Sequence, residues 1–453
     1  MKVSLLISSL FLCVSTFGQD TLKSVATIDT LETKPVSDSL STYQFPDFRD
    51  MDTSMRSTYD FVDYSKNNYQ FYSKESRGFE AFYDKMSSLI ENKKGKMNLY
   101  HIGGSHLQAD IYTHDVRTYL QTRWEGVTGE RGWVFPFDLA KTNNPGNYEF
   151  SSPNTWKPYR SVVQKPHKVN IDYGILGCAV TCPDSAIIVK FKHDRTTVKP
   201  PIQRLRIYHN VGEFPYSIHF GVDELLVDSK VSNLEEGWTE IHFTDPVDTL
   251  NIQFARLGYH APELELHGFL MMNDEPGFSY TAIGVNGAGL YTYLKNIRFE
   301  EQLKAYPPDF FAYSVGTNDG NVPYADFKPE VYKANLEKMM QMALRANPDV
   351  ALLLTVPNDS YYRRRYLNRN IGREREMIIE LAKEYDMAVW DLYGVMGELG
   401  SSKTWKLNGL MRSDLIHFTH PGYHFKGDLY IDGLLKFMDQ FELKKETAKT
   451  EEE

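Results

Sequence analysis

Two periodicities divide this chain. Short apolar runs at 98–102, 280–283, 310–315, 350–356 and 387–392 are flanked by segments with apolar residues at helical spacing, notably 329–345 and 374–384. Strands that are apolar on both faces and alternate with amphipathic helices predict a parallel sheet covered by helices on both sides. Between about 147 and 274 the period changes to two: Leu205 and Ile207, Ile241 and Phe243, Leu250, Ile252 and Phe254, and Leu264 and Leu266 alternate with polar neighbours. Such a run of short strands separated by turns predicts a β-sandwich inserted into the α/β unit.

The ends carry neither pattern. Residues 1–19 begin with Lys2, run apolar from Val3 to Phe17 and finish in Gly-Gln, as a secretory signal peptide does. No later stretch approaches the roughly 20 apolar residues of a spanning helix, so no integral membrane segment is expected once the signal is removed. Phe11 and Leu12 before Cys13 are too large for a lipoprotein cleavage site. Residues 20–53, rich in Ser, Thr and Asp, read as a flexible linker, and 444–453, made of Lys, Thr and Glu, as a disordered tail. That leaves 54–146 and 275–443 for the two parts of the α/β domain and 147–274 for the insert.

Composition narrows the function. A formal charge of −10 with interspersed signs offers no basic stripe for a phosphate backbone, so nucleic acid is not an expected partner. The 42% hydrophobic and 13% aromatic content is that of a folded chain. Beyond the signal only Cys178 and Cys182 remain, too few for a disulfide framework. Four residues apart on a regular strand, they lie about 13 Å from each other, so a bridge would need a turn between them. No His-Glu-x-x-His or Cys-x-x-Cys cluster occurs, and neither a metal nor a cofactor is expected.

Four segments carry candidate chemistry. The run 98–102 enters Gly103-Gly104-Ser105-His106, placing a serine at a strand-to-helix turn, where helix amides face a developing oxyanion. Gly284-Val285-Asn286-Gly287-Ala288-Gly289 follows the run at 280–283, and Gly316-Thr317-Asn318-Asp319 follows 310–315, at the strand end where open α/β sheets bind ligands. Asp414-Leu415-Ile416-His417 sets a carboxylate three residues ahead of an imidazole, a spacing that lets the acid hold one ring nitrogen while the other faces a serine. Each alone has a structural alternative: a capping serine, a glycine turn, an Asn-Asp turn, a capping Asp beside a surface His. His420 and His424 lack an acid at that offset and read as structural.

In this order the four segments resemble the blocks of the SGNH (GDSL-like) hydrolases. The resemblance implies a three-layer, flavodoxin-like α/β fold with Ser105 as nucleophile and His417 and Asp414 as base and orienting acid. It implies an oxyanion hole from the Ser105 and Gly287 amides and the Asn318 side chain. Gly104 departs from the family's usual Asp. The run 129–136, with Arg131 and Trp133 as possible substrate contacts, and the inserted sandwich are similar to bacterial peptidoglycan O-acetylesterases and related polysaccharide deacetylases. The expected partner is therefore an acetylated polysaccharide or peptidoglycan, and the expected activity small-acyl, mainly O-acetyl, ester hydrolysis in the periplasm or outside the cell. An acyltransferase with the same triad, or a carbohydrate-binding protein on this scaffold, are the alternatives. The insert is expected to position the polymer.

Overall fold

The structure, a computed structural model, describes residues 43–73, 76–163, 171–258 and 260–452, the last five by backbone alone. The expected signal peptide and Cys13 lie outside the described residues. Among the described residues no helix is long and apolar enough to cross a membrane.

Six strands form the central sheet in the order Tyr69–Phe71, Ala388–Asp391, Ala351–Val356, Phe310–Ser314, Lys96–Gly103, Gly277–Gly284. The last five are parallel. Numbered along the chain they run 2-1-3-4-5, the flavodoxin-like doubly wound order. The first strand is an antiparallel edge, too short to stand out in the sequence. Alternate residues feed opposite layers: Phe310 and Ala312 pack with Phe79, Phe82 and Phe437 on one face, Phe311 and Tyr313 with Leu336 and Met340 on the other. Both faces are dry, hence the near-continuous apolar runs.

Residues 148–272 build two antiparallel sheets. The smaller has the order Tyr148–Ser151, Ala186–His193, Thr249–Arg256, Tyr216–His219. The larger runs from Val227–Asn233 through Trp238–Val247, Ile202–His209, Leu264–Met272 and Cys178–Cys182 to Lys157–Arg160, and Gly132–Val134 pairs with Leu264–Met272 from outside the insert. One hydrophobic cluster continues from the sandwich strands (Phe150, Ile252, Leu266) into the α/β layer (Ile283, Phe311, Leu354). The sandwich is thus fused to its host through a common core. Cys178 and Cys182 are free and buried on one unbroken strand.

Two terminal expectations need correcting. The linker expected to reach 53 is structured from Tyr43: the Tyr43 ring stacks on His424 at 4.2 Å, Phe45 and Phe48 abut Tyr119, and Met51 is fully buried. Three aromatic side chains among polar ones were enough to anchor a segment without period. The expected disordered tail continues the helix His420–Glu452, where Lys444 pairs with Glu80 and Lys445 with Asp84 on the helix Arg77–Asn92. Polar composition here marks a helix lying on another helix's charged edge.

Candidate active site

All four candidate segments lie at one edge of the sheet. Ser105 follows the Lys96–Gly103 strand, the Gly287 loop follows Gly277–Gly284, and Asn318 follows Phe310–Ser314. Parallel strands aim their C-terminal ends together, so distant segments meet there. Ser105 Oγ lies 2.7 Å from His417 Nε2, and His417 Nδ1 lies 2.8 Å from Asp414 Oδ2. The second Asp414 oxygen accepts from the backbone amides of Ile416 and His417, both at 2.9 Å. Burial opposes ionisation of Asp414, but these bonds and the facing ring outweigh it and hold the carboxyl well below its usual range. Asp414 therefore stays anionic and fixes the proton of His417 on Nδ1.

His106 packs against this pair, its ring centre 5.1 Å from that of His417. Its Nδ1 meets Tyr423 Oη at 2.9 Å, and burial, reinforced by Lys426, pushes its pKa well below that of free histidine. A neutral neighbour adds no repulsion when His417 takes a proton. His424, bonded to Asp115 at 2.7 Å and to His420 at 3.0 Å, sits in a separate network, as expected of structural histidines.

The oxyanion side is assembled around Gly104. A Cβ there would lie 2.8 Å from Asn318 Nδ2 and 3.2 Å from Ala288 O. The family's usual Asp would push the Asn318 amide out of its present position beside the serine turn. Asn318 Nδ2 donates one hydrogen to Ala288 O at 2.8 Å, leaving its second for a ligand. Ser105 opens a helix, Ser105–Gln108, so its amide lacks an intrahelical acceptor. Gly287 is exposed with φ +81°, a backbone that L side chains rarely adopt.

Two supports of this side escaped sequence reading. Gln108, buried, accepts from Asn286 N at 2.7 Å and donates to Asn143 O at 2.8 Å and Thr142 Oγ1 at 3.1 Å, tying the serine helix to the Gly287 loop. Asp319 accepts from Leu290 N at 3.0 Å, joining the Asn318 turn to the helix after the same loop. Burial pushes the Asp319 carboxyl up to about 7, and buried Glu374 beside it is likewise raised by burial. Gln108 read as one polar position of a helix and Asp319 as a turn residue, because their partners are remote in sequence.

Arg131 and Trp133 are corrections. Arg131 is buried, its guanidinium 3.4 Å from Asp110 and 3.2 Å from Asn147 Oδ1, and Asp110 also pairs with Arg117 at 2.9 Å. Trp133 is buried too, donating to Tyr100 Oη at 3.1 Å and lying 4.6 Å from the Tyr208 ring. Both are taken up in contacts at the seam between the sandwich and its host, behind the serine helix.

The fold and the sequence blocks point the same way: residues 270–425 match the model of the GDSL-like Lipase/Acylhydrolase family, and the chain has the SGNH hydrolase fold. In particular, its fold is that of a peptidoglycan O-acetylesterase whose structure aligns with TM-score 0.67 and 17% identity over 82% of this chain and 99% of that one. More distant likenesses include an acetyl xylan esterase (TM-score 0.28, 19% identity, 34% of this chain and 79% of that one). Another is a lipase/acylhydrolase from Enterococcus faecalis (TM-score 0.28, 20% identity, 34% and 73%). Among curated proteins none matches the sequence.

Proposed function

We propose that this chain is an exported serine esterase that removes O-acetyl or similarly small acyl groups from a cell-wall or other polysaccharide. The observation that carries the reading is the bonded series Ser105–His417–Asp414 at the ligand-binding edge of the sheet, 2.7 and 2.8 Å per step. His417 Nε2 takes the Ser105 proton as Oγ attacks the ester carbonyl, and anionic Asp414 stabilises the imidazolium. The oxyanion is held by the amides of Ser105 and Gly287 and the free hydrogen of Asn318. His417 then returns the proton to the departing sugar hydroxyl, leaving an acyl-serine. Water, deprotonated by His417, attacks it and releases the acid.

Export rests on the residues before 20, and the glycan substrate on likeness to a peptidoglycan O-acetylesterase. The fused sandwich supports a polymeric substrate, since remote sugar units can supply binding energy that orients an ester. Acetate release should be measured from acetylated peptidoglycan, acetylated xylan and p-nitrophenyl acetate. Release from a polymer, lost in Ser105→Ala, is expected; turnover of the small ester alone would overturn the polysaccharide assignment.

A further inference from the structure

Nucleophile and oxyanion loops occupy the C-terminal ends of three adjacent parallel strands; the fourth, Ala351–Val356, leads at the same edge into a different device. After it, Tyr361–Tyr362 and Tyr366–Leu367 pair as a small hairpin around Arg363, Arg364 and Arg365. The hairpin is bound to the loop that holds the acid and base: Tyr361 N donates to Leu415 O at 3.2 Å, and Asn358 Nδ2 to Ile416 O at 3.2 Å. With two residues per strand at about 3.4 Å each, the turn stands roughly 7 Å beyond that base.

Three observations set this turn apart from an ordinary solvated one. Arg363 and Arg364 have φ +51° and +58°, closed by Arg365 N donating to Tyr362 O at 3.2 Å. Two consecutive left-handed positions are where Asn and Gly belong, so folding alone gives no reason for arginine. All three arginines are exposed, and none has an ion-pair partner among the described residues, in a chain whose net charge is −10. The guanidinium groups of Arg363 and Arg365 rest over the Tyr362 and Tyr366 rings at 5.2 and 5.4 Å, and exposed Lys403 lies over Tyr361 at 5.2 Å. Aromatic stacking holds the cations outward while leaving their N–H edges free.

We infer that this hairpin is a subsite for the carboxylates of an acidic acetylated glycan, gripping the polymer beside the ester that Ser105 attacks. The planar guanidinium fork fits carboxylates in pairs of hydrogen bonds. Three arginines and a lysine are too few for a nucleic acid backbone, which needs a longer stripe of contacts. The inference rests on the polysaccharide esterase reading above, and its test separates the two.

The test uses the triple variant Arg363→Gln, Arg364→Gln, Arg365→Gln. Its kcat/KM on acetylated polygalacturonate, relative to that on a neutral acetylated mannan, should fall about tenfold, as expected for a few partly exposed charge contacts. Added sodium chloride should lower the wild-type ratio and leave the variant's unchanged. An unchanged ratio, or equal losses on both polymers, would overturn the subsite. Binding supplies a readout that needs no turnover: Ser105→Ala should be retained on immobilised polygalacturonate, and the same protein with the three arginines replaced should not. That difference would carry the subsite even if neither polymer were deacetylated; the esterase reading itself falls only if acetylated peptidoglycan, acetylated xylan and p-nitrophenyl acetate are all left intact. Equal retention of both proteins, or stronger retention on DNA or on phosphatidylglycerol vesicles than on polygalacturonate, would overturn it.

Discussion

The two walls of the cleft are built on opposite principles. The oxyanion wall is held from behind: Gln108 and Asp319, both turned inward, bind the loops of Gly287 and Asn318, and Gly104 leaves space for the amide between them. The acid–base wall is a short loop, 412–417, folded on itself by Arg412 N to His417 O at 2.8 Å, with Leu415 at φ +57° and the arginine hairpin at its flank. His417 is partly exposed, its side chain 31% accessible, whereas Gln108 is 1% exposed. The lesson is a division of labour: fixed dipoles that stabilise charge sit on a preorganised frame, while the proton carrier stays accessible.

If that division is right, damage to the preorganised oxyanion frame should appear directly in kcat. Asn318→Ala should lower kcat about 100- to 1000-fold on p-nitrophenyl acetate, the usual result of losing one oxyanion donor. Gly104→Asp should come close to it, because the new Cβ would meet the Asn318 amide at 2.8 Å. A Gly104→Asp enzyme with wild-type kcat would break the claim that this glycine seats Asn318.

Next in size is the support behind the wall. Gln108→Ala should lower kcat roughly tenfold with little change in KM, as misplacement of a donor does. Gln108→Glu, which keeps the acceptor for Asn286 N, should recover part of it. Equal losses in the two variants, or a change in KM alone, would show Gln108 to be only packing.

The walls also predict opposite responses of stability to pH. Burial raises Asp319 to about 7, so between about pH 4 and 7 the folded protein keeps a proton that the unfolded chain has released, and this contribution falls as pH rises. Asp414 is lowered, so its contribution is present above about pH 4 and is lost as acid protonates it. Urea midpoints should therefore flatten between about pH 4 and 7 in Asp319→Asn and below about pH 4 in Asp414→Asn. The same side affected in both variants would contradict the comparison.

The smallest effect belongs to the hairpin. Arg364→Gly relieves one left-handed residue and should raise stability by up to about 1 kcal/mol, seen as a small increase in Tm. A fall in Tm would mean that the arginine serves the fold.

Legibility in the sequence followed the same line. The five parallel strands were visible because burial on both faces writes itself as apolar runs, and the oxyanion and acid–base segments because they stand on loops at strand ends. Arg131 and Trp133 misled because their burial depends on Gly132–Val134 pairing with Leu264–Met272, a contact remote along the chain that no local pattern encodes. Gln108 and Asp319 were silent for the same reason, since a buried polar residue is defined by its partners. The arginine run at 363–365 was plain in the sequence; its positive φ and its seat beside Leu415 emerged only from the fold.

The central claim, that Ser105, His417 and Asp414 act as one unit, is tested most directly by covalent capture. Incubation with diethyl p-nitrophenyl phosphate followed by peptide mass spectrometry should place one diethylphosphoryl group on Ser105. Labelling should be slowed strongly in His417→Ala and less so in Asp414→Asn. Labelling at another residue, or at Ser105 with an undiminished rate in His417→Ala, would contradict the account.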